Sequence, residues 1–425
     1  MKMEFGTNYH IEIFGASHEP EIGVRIKGVP AGEAIDLEDL TALLARRSPS
    51  HTPFGTPRRE NDIPQIIQGI TNGVTDGRTI IITLPNRDIR PQDYAATASI
   101  PRPGHADYPA YIKDGAIPSG GGIYSGRMTA AYCIAGGIAL QQLKKEGVRV
   151  QAEILSIGGI PAEKEKEIQA ALTEAASEGD SLGGVIGCRV TGLPVGLGEH
   201  PFRGLENHIS EAVFAIPAIK GIEFGDGFAL TSMKGSEAND AYYMENGKVI
   251  CKTNHSGGIN GGMANGMPLT FRVAVKPTPS IARTQNSVDL VKGENVMLSV
   301  KGRHDTCLAL RAAPVVEAAA AAAIYDLLLG ESKKEADLAE LRRRLKQSDD
   351  ILLRSLCERM RLVRAISEYK TAHGLPVLDK EREEQLLEEL LADTPPVWRD
   401  AAAMLYPEIF AVSRYYQTKW REEKE

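Results

Sequence analysis

Residues 331–373 read ESKKEADLAELRRRLKQSDDILLRSLCERMRLVRAISEYKTAH and contain neither Gly nor Pro. Leu341, Leu345, Leu352, Leu356, Met360, Val363 and Ile366 recur at steps of three, four and seven, the spacing of one face of an α-helix. A helix over about 337–372 would be roughly 50 Å long. It cannot bury such a stripe alone, so the stripe predicts self-association. Two shorter helical stretches follow, KEREEQLLEELLAD (380–393) and VWRDAAAMLYPEIFAVSRYYQTKW (397–420), the second interrupted by Pro407.

Upstream, residues 1–330 are rich in Gly and Pro. The β-branched runs TIIITL (79–84), GVIGCRV (184–190) and LTFRVAV (269–275) read as strands between turns. The Ala-rich VVEAAAAAAIYDLLL (315–329) reads as a helix closed by Gly330. The expected organisation is therefore an α+β domain over 1–332, a linker at 333–337 and a small all-α domain of three helices over 338–425.

Bulk composition narrows the function. Of 425 residues, 25% are charged and 42% hydrophobic, the balance of a soluble globular protein. A net charge of -7 argues against a nucleic-acid partner. Five cysteines without a CxxC pair indicate neither a disulfide framework nor a zinc ribbon, so no metal is expected. The first residues lack the apolar core of a signal peptide, and no apolar run of about 18 residues suggests a membrane span. A cytoplasmic location is expected.

The helical tail carries a patterned set of polar residues. Arg359 and Lys370 are eleven positions apart, which returns them to within about 20° of one face, a spacing that suits a dianion. Arg342 precedes Lys370 by about 40 Å of helix rise and cannot serve the same small ligand within one chain. Asp379, Arg382 and Glu383 open the next helix, and Ser413 and Gln417 share a face at i,i+4.

Taken singly, each is more often a solvated surface group than a ligand. Together, in LRRRLKQSDDILLRSLCERMRLVRAISEYK, GLPVLDKEREE and SRYYQ, they resemble the all-helical chorismate mutase family over about residues 338–420. The resemblance implies an intertwined dimer in which one arginine of each site comes from the partner chain, a place that Arg342 fits. It implies rearrangement of chorismate to prephenate without nucleophile or cofactor. Arg359, Arg342, Asp379, Arg382 and Ser413 would then hold substrate, Lys370 and Gln417 would donate to the ether oxygen, and Glu383 would meet the substrate hydroxyl. A tail that only dimerises or senses chorismate is the competing expectation.

In residues 1–330 the chemistry lies in loops. GASHEP (15–20) and PRPGHAD (101–107) each hold a histidine among turn residues, and RRSPSHTPFGTPRREND (46–62) concentrates four arginines. SGGGIYSGR (119–127) and SGGINGGMANG (256–266) allow backbone amides close approach to a ligand. GRHDTC (302–307) sets Arg, His and Asp before an apolar helix. HEPEI lacks the second histidine of a zinc protease motif.

In this order the motifs resemble the chorismate synthase family over essentially all of 1–330. The resemblance implies a β-α-β sandwich, usually tetrameric. The implied reaction is the 1,4-anti elimination of phosphate from 5-enolpyruvylshikimate 3-phosphate, with reduced FMN (FMNH2) as cofactor. His18 and His105 would be acids, one toward the leaving phosphate and the other toward the reduced flavin. Asp305 would act with flavin N5 in removing the proton. Arg47, Arg58, Arg127 and Arg303 would clamp phosphate and carboxylate. Ser125, Ala238, Gly261, Lys276, Thr278, Ser280 and Arg303 match flavin-contacting positions. NADPH or an external reductase could supply the electrons. Departures from the family pattern are Glu19 for a glycine, Pro53 and Ile123 for arginines, and Met128 for a glutamate.

Overall fold

The computed structural model describes residues 3–56, 60, 62–88, 98–199, 201–245, 247–300 and 305–423. They form two compact units, Met1–Lys333 and Lys334–Glu425.

The first unit holds two antiparallel five-stranded sheets. One runs Met3–Phe5, His10–Gly15, Glu21–Lys27, Ile80–Pro85, Gln65–Gln68 in spatial order. The other runs Ile219–Phe224, Leu269–Val275, Gly184–Thr191, Arg149–Ile157, Ile160–Pro161. The three β-branched runs fall in strands of these sheets. Register follows the apolar alternation: Ile22, Val24 and Ile26 pair with Leu84, Ile82 and Ile80, all buried.

The helices of this unit are α1 (Leu37–Arg47), α2 (Asp107–Asp114), α3 (Thr129–Lys145), α4 (Glu165–Ser177), α5 (Leu205–Phe214), the one-turn α6 (Gly235–Ala238) and the start of α7 (Ala309–Ala372). Helix α3 is buried on nearly all sides and touches Glu21–Lys27 of one sheet and Arg149–Ile157 of the other, so it lies between the layers. Gly136 makes this possible. A Cβ there would stand 2.3 Å from Ala318 Cα, so only glycine lets α3 meet α7 so closely. The segment Ala309–Ser332 is long and apolar enough for a bilayer by composition, but 89% of its most apolar window is buried, as in a core helix.

Two expectations change here. Gly330 does not close the Ala-rich helix: α7 continues through it and through the expected linker 333–337 to Ala372. Gly330 instead makes room for a neighbour, since a Cβ would meet Asn8 Nδ2 at 2.7 Å. The residues after it are mostly strong helix formers, so nothing breaks the helix. The division between units at 333 and 334 therefore falls within a helix.

Asp326 of α7 fastens the N-terminal segment. Its buried carboxylate accepts from the amides of Thr7, Asn8 and Tyr9 at 2.8, 2.5 and 2.6 Å and faces His208 Nε2 at 2.8 Å. Burial would raise its pKa, but the His208 contact and the amides outweigh this and hold it below the ordinary carboxylate value. Asp326→Ala is expected to destabilise the first unit by about 3–5 kcal/mol in denaturant titration, because buried donors lose their acceptor. A depressed carboxylate stabilises above its unfolded value of about 3.9, so the wild-type advantage should fade as pH drops below that point.

The second unit comprises the rest of α7, α8 (Lys380–Asp393) and α9 (Arg399–Glu422). Pro407 does not interrupt α9 as the sequence led us to expect. Pro407 and Ala403, the residue whose carbonyl it deprives of a donor, are both exposed, a position where a helix tolerates proline. Of the apolar stripe of α7, Val363 is buried at 6% exposure and Leu356 and Met360 are half-buried, whereas Leu341, Leu345, Leu352 and Ile366 are exposed.

Candidate active sites

In the first unit a cavity of about 460 Å³ collects His18, Arg47, His105, Ser125, Arg127, Lys276, Thr278, Ser280 and Asp305 from segments spread over almost 290 residues of sequence. Its floor is the loop Ser119–Tyr124, where Gly120, Gly121 and Gly122 have φ of 58°, 85° and 53°. A Cβ on Gly120 would stand 1.9 Å from His18 Cε1, and one on Gly121 would stand 3.3 Å from His105 Cε1. The two histidines thus rest on consecutive glycines. Ser17 Oγ, which donates to Gly120 O at 3.3 Å, lies 3.0 Å from His18 Nδ1 and ties that ring to the same loop. Glu19 is exposed, and its carbonyl takes the amide of Asn86 at 2.7 Å.

His105 is held from the other side. Its Nδ1 lies 2.6 Å from Asp107 Oδ1, and Arg102 Nε and Nη2 donate to the two oxygens of Asp107 at 2.7 and 2.8 Å. Burial opposes ionisation of Asp107, but the hydrogen bonds from Arg102 and His105 prevail and hold its pKa far below the ordinary carboxylate value. Arg102 Nη1 reaches Ser280 Oγ at 3.0 Å.

The cavity is cationic. Arg47, 1% exposed, donates to Asp62 Oδ2 at 2.7 Å, and Arg127 pairs with Asp62 Oδ1 and with Asn86 Oδ1 at 2.9 Å. Arg311 clasps Asp305 through Nε and Nη2 at 3.1 and 2.7 Å, and Thr56 N donates to Asp305 Oδ1 at 3.1 Å. Among the described residues Arg47, Arg127 and Arg311 are balanced by Asp62, Asp305 and Glu60, so Lys276 supplies the one positive charge in excess. Burial first, then Arg311 and Arg127, push the Arg47 pKa down against the pull of Asp62. Arg47 Nε has no hydrogen-bond partner although buried. An anion entering here would meet donors already in place.

Arg58 and Arg303 lie outside the described residues. The structure does not bring Ala238 or Gly261 into the cavity lining. Ala238 ends α6, and Gly261 stands at the exposed turn between Ile259–Asn260 and Met263–Ala264. Ile123 lines the cavity and, with Met128, an adjoining apolar space of about 360 Å³. Sequence reading passed over Arg102, Asp107, Asp62 and Arg311, although PRPGHAD, TPRREND and GRHDTCLALR contain them.

In the second unit, Arg359 of α7 donates to Ser413 Oγ of α9, and its guanidinium lies 5.8 Å from the Phe410 ring centroid. Burial lowers its pKa, with Tyr406 and Glu383 opposing. Glu383 of α8 pairs with Arg414 of α9. Lys370 Nζ donates to Val377 O at 2.8 Å, and Ser367 Oγ to Gln417 O at 3.3 Å. The side-chain oxygen of Gln417 is buried without a partner. Asp379 caps α8 by accepting from Arg382 N at 3.1 Å. Three helices so bring together Arg359, Glu383 and Ser413, while Arg342 is exposed seventeen positions before Arg359 on α7. Arg414, within the SRYYQ segment, went unmarked in the sequence.

Comparison with known proteins names a family for each unit. Residues 9–329 match the chorismate synthase family and residues 341–418 match chorismate mutase type II. The chorismate synthase of Lancefieldella parvula is 44% identical, covering 77% of this chain and 96% of that protein. That of Aeropyrum pernix is 42% identical, over 76% and 92%. A crystal structure of chorismate synthase shares the fold, with a TM-score of 0.61 at 24% identity over 77% of this chain and 93% of that one. The chain belongs to the chorismate synthase family and continues into a chorismate mutase type II domain, so that one polypeptide joins a lyase and an isomerase of the shikimate pathway.

Proposed function

We propose that the first unit eliminates phosphate from 5-enolpyruvylshikimate 3-phosphate through the cavity that seats His18 and His105 on Gly120 and Gly121, and that the second rearranges the resulting chorismate to prephenate. The seating of both histidines beside the arginine cluster is the observation that carries the first half. Arg47 and Arg127, already aligned by Asp62, receive the phosphate and carboxylate of the substrate. One histidine gives a proton to the departing phosphate oxygen as the C–O bond breaks. Asp305, oriented by Arg311 and the Thr56 amide, accepts the proton lost from the ring.

Chorismate synthases use reduced FMN. The residues here fit that group: Thr278 Oγ1 is buried without a partner in a cavity that also presents Lys276, Ser280 and Ser125 above the glycine loop. When bound, FMNH2 lends electron density to the breaking C–O bond. NADPH is the proposed reductant, which NADPH consumption under anaerobic conditions would report. Supplying enolpyruvylshikimate phosphate and reduced FMN anaerobically should yield chorismate and then prephenate; absence of both products would refute the reading.

In the second unit the task is to hold the reactive conformer and to stabilise charge on the ether oxygen. Arg359 binds a carboxylate of the dianion, Lys370 and Gln417 donate to the ether oxygen, and Glu383 meets the hydroxyl. The exposed Leu341 and Leu345 support a second copy packing along α7, with Arg342 serving the partner's site. Domains would then divide at 332 with a helical join over 333–337, in a cytoplasmic homo-oligomer, a tetramer through the synthase units with paired mutase units. Co-expressed Arg342→Ala and Arg359→Ala chains should recover about a quarter of wild-type mutase activity, since half of random dimers hold one intact site of two. Recovery of none would remove the shared site.

A further inference from the structure

We propose that Asp107, itself clamped by Arg102, is the positioning residue of His105, fixing the imidazole so that Nε2 is the nitrogen that presents a proton to the cavity. The proposal rests on His105 being one of the two acids and adds what aims it.

The geometry leaves one arrangement of protons. Asp107 is fully buried and receives four donors: Arg102 N at 3.0 Å and Arg102 Nε at 2.7 Å on Oδ2, and Arg102 Nη2 at 2.8 Å and His105 Nδ1 at 2.6 Å on Oδ1. An ionised carboxylate only accepts, so Nδ1 carries the hydrogen. Arg102 Nη2 also lies 3.1 Å from Nδ1. Two donors cannot bond one another, so that contact is a by-product of both pointing at Oδ1.

With Nδ1 committed, Nε2 is the nitrogen left for a ligand. It lies beside Gly121, where a Cβ would stand 3.3 Å from it. The side chain lines the cavity. When the ring is charged, Nε2–H is the proton available there, because Nδ1–H is engaged by Asp107.

Arg102 keeps this carboxylate in place. Its guanidinium is 6% exposed and spans from Asp107 to Ser280 Oγ at 3.0 Å. A buried ion pair of this kind contributes little net stability, because desolvation offsets attraction. Its use is directional: a short loop containing Gly104 at φ 72° is tied into one shape from Arg102 to the start of α2.

The test begins on the unaltered protein. Nitrogen-15 histidine spectra, with His105 assigned by loss of its signals in H105Q, should show neutral His105 hydrogenated at Nδ1. Finding it hydrogenated at Nε2 would overturn the proposal without any further variant.

D107A should then shift neutral His105 to the Nε2–H form, which free imidazole side chains prefer, and lower kcat for chorismate formation about 10–100-fold, part of the 10²–10⁴ that a positioned general acid supplies. KM should change less than kcat. D107N, close in size, serves if the alanine variant folds poorly: its oxygen keeps the two Arg102 donors on the Oδ2 side and its NH2 turns to His105 Nδ1, so it too should shift neutral His105 to the Nε2–H form and lower kcat. Prephenate formation from added chorismate monitors folding. Unchanged kcat in a variant that has lost the Nδ1–H form would sink the positioning role. Full activity of H105Q would instead remove the acid assignment beneath it, a separate and recognisable failure.

Discussion

Arg359→Ala is expected to lower prephenate formation roughly 10²–10³-fold, because removing one partner of a buried hydrogen-bonded charge pair costs about 2–5 kcal/mol. The guanidinium is oriented by Ser413 and flanked by Phe410, so the substrate meets it without reorganisation. Alanine leaves a carboxylate of a dianion unpaired, and Arg359→Lys should recover only part, because an ammonium cannot form two parallel hydrogen bonds. Phosphate release by the first unit should stay near wild type, so chorismate accumulates. Chromatography of the products measures both rates. A parallel fall in both would mean that the substitution unfolds the chain rather than disabling one site.

Gly120→Ala should do the reverse, lowering chorismate formation at least about 10²-fold, as small misplacements of reacting groups do. The new Cβ would stand 1.9 Å from His18 Cε1 and 2.3 Å from Nδ1, so the ring must leave its seat. A left-handed φ of 58° adds about 1–2 kcal/mol of strain for alanine. Gly121→Ala places its Cβ at 3.3 Å from the His105 ring, which can yield by a few tenths of an ångström, so its effect should be smaller. Prephenate formation from added chorismate should survive both. Undiminished elimination in Gly120→Ala would show that His18 does not work from this position.

Much of the architecture was legible because its signals are local. TIIITL, GVIGCRV and LTFRVAV announce strands through their own side chains, and the long stripe after Leu341 announces a helix. Gly330 and Pro407 misled for a complementary reason: each has a local preference that its surroundings override, one by the close approach of Asn8, the other by its place on an exposed helix face. The same line separates the site residues. Motifs expose His18, His105, Arg47 and Arg127. Asp62 gains its meaning only when Arg47 and Arg127, 65 positions from it in the latter case, close on its two oxygens. Arg102 and Asp107 bracket His105 in sequence, yet nothing in PRPGHAD says which neighbour the ring will choose.

The glycine floor under the histidines has a kinetic consequence. The two proposed proton donors pack on adjacent glycines of Ser119–Tyr124, but His105 has a second hold through Asp107 and Arg102, whereas Ser17 ties His18 to the loop itself. Substitutions that displace the loop should therefore change the step that depends on His18 more than the step that depends on His105, and solvent-isotope measurements on a series of such variants would show the two responses diverging.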